Sequence, residues 1–131
     1  MRVTVYITNH NYGQYLERSI ESVLGQTHTD YELLIIDDGS TDGSREIIER
    51  YAKRPGITTI FQENRGLNVS NNIALRAAQG DAIIRLDADD YFDENALTVL
   101  AGALDRDPEL GLVFPDYYTV DEGGHVIELV R

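Results

Sequence analysis

The sequence contains no cysteine, which excludes disulfide bonds, thiolate metal ligands and a cysteine nucleophile. A chain without cysteine fits a reducing compartment, so we expect a cytoplasmic location. No apolar run approaches the roughly 20 residues that a transmembrane helix needs, and the apolar stretch at the N-terminus is too short for a signal peptide. We therefore expect no membrane span in this chain, and a peripheral position at the cytoplasmic face of a membrane stays open.

Basic residues are scarce as well. The chain has 11 Lys and Arg against 23 Asp and Glu, which gives a formal net charge of −12. We expect no nucleic-acid binding, because that function requires clustered Lys and Arg to displace counterions from phosphates. An anionic substrate would also be repelled unless a bound divalent cation reverses the local charge. For most of the acidic residues we prefer the simpler interpretation that they confer solubility.

We expect a single domain over residues 1–131, because the length fits one domain and the sequence shows no linker, repeat or low-complexity tract. Apolar and β-branched runs predict strands at residues 3–7, 31–36, 57–61, 82–86 and 112–114, with a short last strand at 126–127. Apolar residues at helical spacing predict helices near residues 15–24, 44–51, 69–77 and 97–104. This alternation indicates an α/β fold with a mostly parallel sheet flanked by helices.

Polar clusters follow each of the first four predicted strands. They are His10 with Asn11, Asp37 with Asp38, Asn64 with Arg65, and residues 87–90. In open parallel sheets the carboxyl ends of the strands meet at one edge, and ligands bind there. We therefore expect these four clusters to line one site.

The last cluster, Asp-Ala-Asp-Asp at residues 87–90, places three carboxylates so close that they repel one another unless protons or a cation intervene. Oxygen ligands suit Mg²⁺ or Mn²⁺, which commonly bind one or two carboxylates together with substrate phosphates. The alternative is an acidic loop that caps the next helix, for which Asp93 is a good candidate.

Asp37 and Asp38 follow a strand with a continuous apolar half. An aspartate in this place can accept hydrogen bonds from a ribose hydroxyl or a base N–H, and Gly39 lets the chain turn where a side chain would obstruct it. The alternative is a simple turn in which one of residues 40–42 caps the next helix. Two adjacent aspartates exceed what a cap needs.

The other two clusters are more ambiguous. Residues 8–12 could line a base pocket or form an ordinary strand-to-helix loop. Arg65 could contact a nucleotide phosphate or base, or be a solvated loop arginine. Nothing in the sequence places His10 as a general base, and His28 and His125 are predicted to lie on the surface.

Taken together and in this order, the clusters resemble the family-2 glycosyltransferases of the GT-A fold. The likeness rests on residues 3–12, 19–27, 32–42, 78–81 and 86–90, and so covers nearly the whole chain. It implies a Rossmann-like nucleotide-diphospho-sugar transferase domain. The expected donor is a nucleotide-diphosphate sugar, usually a UDP-sugar, and the expected acceptor is a carbohydrate or a lipid-linked molecule.

The resemblance also implies roles for individual residues. Thr8 and His10 would line the base pocket, and Asp38 would bind the uracil. Asp87 and Ala88 would lie along the ribose. Asp89 would coordinate Mn²⁺ or Mg²⁺. Members of the family usually invert the anomeric centre by direct displacement, with a carboxylate base that deprotonates the acceptor hydroxyl.

Two departures from the family pattern qualify this prediction. Asn71 stands where many relatives carry an arginine. The catalytic base and the acceptor-binding elements normally lie beyond the length of this chain, and nothing after Asp116 matches them. We therefore predict a fragment of a longer enzyme and name no catalytic base. A non-catalytic domain that binds nucleotide and lacks the acceptor half remains the main alternative.

Three other α/β classes are disfavoured. A phospho-acceptor receiver domain would carry its acidic pair after the first strand and a lysine after the fifth, and neither is present. A dinucleotide-binding dehydrogenase would have a G-x-G-x-x-G segment after the first strand. A nucleotidyltransferase would carry a glycine-rich first loop with Arg or Lys. The oligomeric state is not predicted.

Overall fold

A computed structural model describes all 131 residues of the chain. Strands and helices alternate through the first part of the chain, and a β-hairpin follows. The strands are β1 (Val3–Asn9), β2 (Tyr31–Asp38), β3 (Ile57–Gln62), β4 (Ala82–Asp87), β5 (Tyr117–Val120) and β6 (Val126–Val130). The helices are α1 (Gly13–Leu24), α2 (Ser44–Tyr51), α3 (Leu67–Ala77) and α4 (Ala96–Arg106). No helix has both the length and the hydropathy needed to cross a bilayer.

The first four strands form one parallel sheet, as the alternating pattern predicted, and their order in the sheet is β3-β2-β1-β4. Their carboxyl ends are level with one another, because Asn9 of β1 lies beside Asp37 of β2 and Thr8 lies beside Asp87 of β4. The polar residues that follow the strands therefore gather at one edge. The prediction that the clusters gather at one edge of the sheet is confirmed for those that follow β1, β2 and β4.

Helices cover both faces of the sheet, so the core has two parts. On one face, α1, α2 and α4 pack on the strands through a cluster of 14 buried residues that includes Val5 and Leu33. On the other face, α3 packs through a smaller cluster of Tyr6, Leu34, Ile36 and Ala74. Strand β2 is buried on both sides, which explains its continuous apolar half.

The connection from α3 to β4 is held against β1 by a buried carboxylate. Glu32 accepts hydrogen bonds from Thr4 Oγ1 at 2.6 Å and from the N–H of Gln79 at 2.5 Å, and Thr4 Oγ1 in turn accepts one from the N–H of Gly80 at 2.9 Å. A Cβ on Gly80 would lie 2.6 Å from the backbone nitrogen of Thr4. Only glycine fits this close approach of two backbones, which fixes how β4 enters the sheet.

The predicted fifth strand at residues 112–114 is wrong. These residues form no regular secondary structure, and Leu112 and Phe114 are 75% and 83% exposed. The apolar run is short and ends at Pro115, which has no N–H to give to a strand ladder. The fifth strand is instead β5, which pairs antiparallel with β6 in a separate two-stranded sheet. The prediction of a last strand at 126–127 is confirmed, and that strand extends to Val130.

Candidate functional site

A cleft of about 270 Å³ opens at the carboxyl ends of β1, β2 and β4, in front of the first turn of α3. Its lining residues are Thr8, Asn9, His10, Tyr12, Asp38, Leu67, Ser70, Asp87, Ala88 and Asp89. A larger groove of about 740 Å³ runs along β4 and α4, but its lining is apolar except for Asp81 and Asp105. The smaller cleft is therefore the one with the polar groups that a reaction or a polar ligand requires.

Thr8 and Asp87, which line the cleft, lie on the same face of the sheet. Thr8 and Asp87 are partners in the strand register, and Thr8 Oγ1 donates a hydrogen bond to Asp87 Oδ1 at 3.3 Å. Because side chains alternate along a strand, both residues share the face of Tyr6, which packs against α3. The cleft therefore opens on the α3 side of the sheet.

The two adjacent aspartates at the end of β2 have different surroundings. The buried carboxylate of Asp37 accepts hydrogen bonds from Asn9 Nδ2 at 2.8 Å and from the backbone N–H and hydroxyl of Ser40 at 3.0 and 2.7 Å. These contacts hold the turn after β2. Asp38 instead lines the cleft. One aspartate of the pair thus builds the turn, and the other is available to a ligand.

The carboxylate of Asp38 is held by three hydrogen bonds. Oδ1 accepts from Gln62 Nε2 at 2.9 Å and from the N–H of Arg65 at 2.7 Å, and Oδ2 accepts from the N–H of Gly66 at 3.0 Å. Burial acts to raise the pKa of Asp38, but these hydrogen bonds outweigh it and hold the pKa below its usual range. Because Oδ2 accepts only one hydrogen bond from the protein, it can still accept one from a ligand.

Gly39 has the conformation that the sequence predicted. Its φ of 70° lies in the left-handed region, and a Cβ there would lie 2.6 Å from the backbone nitrogen of Asn64. A side chain would therefore push away the loop that carries the N–H donors to Asp38.

The predicted side-chain caps are wrong, because the residues that precede α2 and α4 are Gly43 and Asn95, and neither makes a side-chain capping hydrogen bond. The nearby aspartates instead make short-range contacts. Asp42 Oδ1 accepts a hydrogen bond from the N–H of Ser44, the first residue of α2, at 3.0 Å. Asp93 Oδ1 accepts one from the N–H of Asn95 at 2.9 Å, just before α4 begins. Both aspartates hold the turn just before a helix and lie outside the acidic cluster of residues 87–90. Helix capping therefore does not account for the three carboxylates of that cluster.

His10 lies at the rim of the cleft. Its Nδ1 is 2.7 Å from the carbonyl oxygen of Asp38, a distance at which an Nδ1–H donates a hydrogen bond. Its Nε2 then accepts from the side-chain amide of Asn11 at 3.5 Å. With both ring nitrogens engaged in this way, His10 joins the loop after β1 to the end of β2 and is not arranged as a free general base.

Arg65 differs from the other predicted site residues. Its backbone N–H binds Asp38, but its side chain is exposed and is not part of the cleft lining. The remaining predicted residues, Thr8, His10, Asp38, Asp87, Ala88 and Asp89, all line the cleft. The structure brings these six together and leaves the Arg65 side chain outside.

A tight turn shapes the acidic loop after β4. The N–H of Ala88 donates to the carbonyl of Thr8 at 3.2 Å, and the N–H of Asp90 donates to the carbonyl of Asp87 at 2.9 Å. The buried Ala88 forms the floor of this turn. One carboxylate oxygen from each of Asp87, Asp89 and Asp90 then lies within 4.8 Å of the others. A set of carboxylate oxygens at this separation has the chemistry that Mg²⁺ or Mn²⁺ prefers.

The crowding of carboxylates has an electrostatic consequence. Burial raises the pKa of Asp90, and the charges of Asp89 and Asp87 raise it further, while Arg18 and Arg85 act in the opposite direction. The repulsion that the sequence predicted is therefore present in the folded chain. Additional positive charge at this point would stabilise all three carboxylates.

Sequence reasoning missed several residues of the site. Besides Asn9 and Tyr12 of the segment 8–12, which the sequence had singled out, Leu67 and Ser70 also line the cleft. Arg85 adjoins it, because its Nε lies 3.1 Å from Asp87 Oδ1. A signal for Arg85 was present in the sequence, since residues two apart on a strand share a face. Leu67 and Ser70 could not be assigned, because only the packing of α3 sets its first turn against the strand ends.

Comparisons with known proteins identify relatives of this chain. The model of a family described as "Glycosyl transferase family 2" matches residues 4–128. An uncharacterised glycosyltransferase of Nostoc sp. is 44% identical over 99 residues, which are 74% of this chain and 31% of that protein. Chondroitin synthase of Escherichia coli is 36% identical over 126 residues, which are 95% of this chain and 18% of that protein. The chain thus spans less than a third of the length of either relative.

Two solved structures share the fold of this chain. Residues 1–349 of S. aureus TarS, solved in complex with UDP, match with a TM-score of 0.74 and 26% identity, over 81% of this chain and 32% of that one. The mannosyltransferase PcManGT from Pyrobaculum calidifontis, in complex with GDP-Man and Mn²⁺, matches with a TM-score of 0.76 and 28% identity, over 83% of this chain and 33% of that one. The predicted GT-A fold is confirmed.

Proposed function

This chain belongs to glycosyl transferase family 2, and from that premise we propose that it is the donor-binding part of an enzyme that transfers a sugar from a nucleotide-diphosphate sugar to an acceptor hydroxyl. One observation carries the proposal most directly: a single cleft joins Asp38 to the carboxylates of Asp87 and Asp89, which belong to the acidic cluster. Two solved neighbours bind UDP or GDP-Man. A nucleotide needs a hydrogen-bond acceptor for its base at one end and charge neutralisation for its diphosphate at the other.

The two ends of the cleft suggest how the donor would lie. Asp38 Oδ2 would accept a hydrogen bond from the base, with Thr8 and His10 beside it. Asp87 and Ala88, at the turn between β4 and the acidic loop, would lie along the ribose. The residues between the two ends are mainly small or polar, which leaves room for the ribose ring that joins the base to the diphosphate. We propose a uridine nucleotide, because Asp38 is an anion that can accept the single imide N–H of uracil.

The acidic loop fits a divalent cation by its donor set, since all of its ligand atoms are carboxylate oxygens and lie close together. We propose that Asp89, the exposed carboxylate at the tip of the turn, holds Mn²⁺ or Mg²⁺. Such a cation would neutralise the diphosphate and stabilise it as a leaving group. This arrangement would also reconcile a chain of net charge −12 with an anionic donor.

We propose that transfer inverts the anomeric centre, with the catalytic base in a part of the whole protein that this chain does not include. The carboxylates of the cleft already have other partners, since Asp38 accepts three hydrogen bonds, and Asp87 accepts one from Thr8 and forms an ion pair with Arg85. The acceptor would be a carbohydrate or a lipid-linked molecule in the cytoplasm or at the cytoplasmic face of a membrane.

Calorimetric titration of UDP into this chain, with and without Mn²⁺, tests the proposal. We expect saturable binding that requires the metal. Binding of equal strength in the absence of Mn²⁺ would refute the metal site, and a folded chain that binds no UDP under either condition would refute the donor site. An assay for release of UDP from UDP-sugars by the whole protein would then distinguish a transferase from a protein that only binds nucleotide.

A further inference from the structure

Arg85 is a cation at the cleft that the proposed function does not use. It lies in β4, two residues before Asp87 and in register with Tyr6 of β1. By the alternation of strand side chains, Arg85 shares the face of Asp87, Tyr6 and the cleft. Its side chain is 38% exposed, so a ligand in the cleft can reach it.

The contacts of Arg85 orient its guanidinium group. Nε lies 3.1 Å from Asp87 Oδ1, the oxygen that also accepts the hydrogen bond from Thr8 Oγ1. The terminal amino groups of Arg85 make no hydrogen bond to the protein. The guanidinium is thus tethered along one edge while its remaining N–H donors are free. A planar fork of this kind is suited to a phosphate group.

No other cation is placed as well to serve the cleft. The lining residues include three aspartates and no Lys or Arg. Arg18 also approaches the acidic loop, but it extends from α1 on the opposite face of the sheet, where it stacks 4.5 Å from the centre of the Tyr91 ring. On the cleft side, the neighbouring helix α3 offers the neutral Asn71, whose Oδ1 accepts a hydrogen bond from Tyr6 at 3.0 Å.

Arg85 and the acidic loop are close enough to act on one ligand. Asp87 contacts Arg85 through Oδ1, and its carboxylate also lies within 4.8 Å of those of Asp89 and Asp90. An anion that is bound at the acidic loop through a cation would therefore have the free edge of the Arg85 guanidinium beside it. Such an anion would be held from two sides by positive charge.

We propose that Arg85 binds the diphosphate group of a nucleoside-diphosphate donor at the β4 side of the cleft. This inference rests on the proposed function and deepens it, because it names a second positive group for the donor in addition to the metal. An exposed ion pair by itself contributes little to stability. In this proposal the Arg85–Asp87 ion pair instead orients Arg85 for the donor.

The test compares UDP with uridine, which lacks the diphosphate. Both are titrated calorimetrically in the presence of Mn²⁺ into the wild-type chain, Arg85→Gln and Arg76→Gln. Arg76 is an exposed arginine of α3 outside the cleft, so its variant removes the same charge as a matched control. We expect Arg85→Gln to weaken UDP about tenfold, as for the loss of a charged hydrogen bond. Uridine affinity and melting temperature should be unchanged. Mn²⁺ affinity should not fall, because Arg85→Gln removes a positive charge beside the carboxylates. The control should bind UDP as the wild type does.

Other outcomes would overturn the inference. If Arg85→Gln bound UDP as tightly as the wild type, Arg85 would not contact the diphosphate and its ion pair with Asp87 would be only a surface contact. An equal loss for UDP and uridine, or a loss of Mn²⁺ affinity, would show that Arg85 acts only through the shape of the acidic loop. If the wild-type chain bound neither UDP nor uridine, the proposed donor site would fail and this inference with it. If the wild type bound both and the variant bound both equally well, this inference alone would fail.

Discussion

Replacing Asp38 with asparagine should separate its role in the site from its role in the fold. In the wild-type chain Oδ1 accepts hydrogen bonds from Gln62 and from the N–H of Arg65, while Oδ2 accepts from the N–H of Gly66. An asparagine side chain could keep its oxygen toward the first two donors. Its amide NH₂ would then face the N–H of Gly66, so that two donors oppose each other.

The size of the effect follows from these three contacts. Two charged hydrogen bonds become neutral ones, and the third is lost, at a total cost of about 3 kcal/mol. Asp38 is only 8% exposed, so solvent screens these contacts little. For a chain of this size that cost corresponds to a fall in melting temperature of about 10 °C. Uridine should also bind at least about tenfold more weakly, because a donor would replace the free acceptor of Oδ2.

The effect on stability should depend on pH with a definite sign. The folded-state pKa of Asp38 is lowered, so its ionised form stabilises the fold fully above the unfolded value of about 3.9. That contribution is lost as the pH falls through the folded-state pKa. The difference in stability between the wild type and Asp38→Asn should therefore be constant from about pH 5 to pH 7 and shrink below about pH 4.

Thermal unfolding followed by circular dichroism at several pH values would measure this difference. Asp93→Asn provides a control, because Asp93 is exposed and makes one short-range contact with Asn95. A melting temperature of Asp38→Asn close to that of the control would refute the reasoning about hydrogen bonds. If the difference in melting temperature between the wild type and Asp38→Asn did not shrink at acidic pH, the reasoning about charge would be refuted.

Three further predictions concern single residues. Asp89→Ala should abolish Mn²⁺-dependent UDP binding in calorimetry and leave the melting temperature unchanged, because the side chain is exposed; retained Mn²⁺ dependence would contradict the metal assignment. Gly80→Ala should lower the melting temperature by about 10 °C or more, since its Cβ would lie 2.6 Å from the Thr4 nitrogen, whereas Gly43→Ala, with open space around it, should not. Gly102→Ala in α4, where a Cβ meets nothing within 4 Å, should raise the melting temperature by about 2–5 °C, and a decrease would contradict it.

Most of the first 106 residues could be predicted from the sequence because local patterns and tertiary packing agree there. Each of β1 to β4 is an apolar run with a polar segment at its carboxyl end, and each helix carries apolar residues at the spacing that its buried face requires. Parallel connections then leave little choice of topology.

The C-terminal segment shows where pattern alone fails. The run at residues 112–114 is as apolar as a strand, yet nothing pairs with it, whereas residues 117–120 pair locally with Val126–Val130 across a glycine turn. A short apolar run becomes a strand only where another segment offers free backbone hydrogen-bonding groups. The local sequence of the run does not show whether such a segment lies beside it.

By itself, the sequence determined the α/β alternation, the convergence of acidic clusters on one sheet edge and the presence of a crowded carboxylate loop. These follow from periodicity and from the common direction of parallel strands. Only the tertiary structure decided which aspartate of the adjacent pair holds the turn and which one lines the cleft. It also placed Arg85 against Asp87 and left the Arg65 side chain outside the cleft. Those choices depend on which face each side chain takes and which backbone donors reach it, and both are set by contacts between residues far apart in the chain.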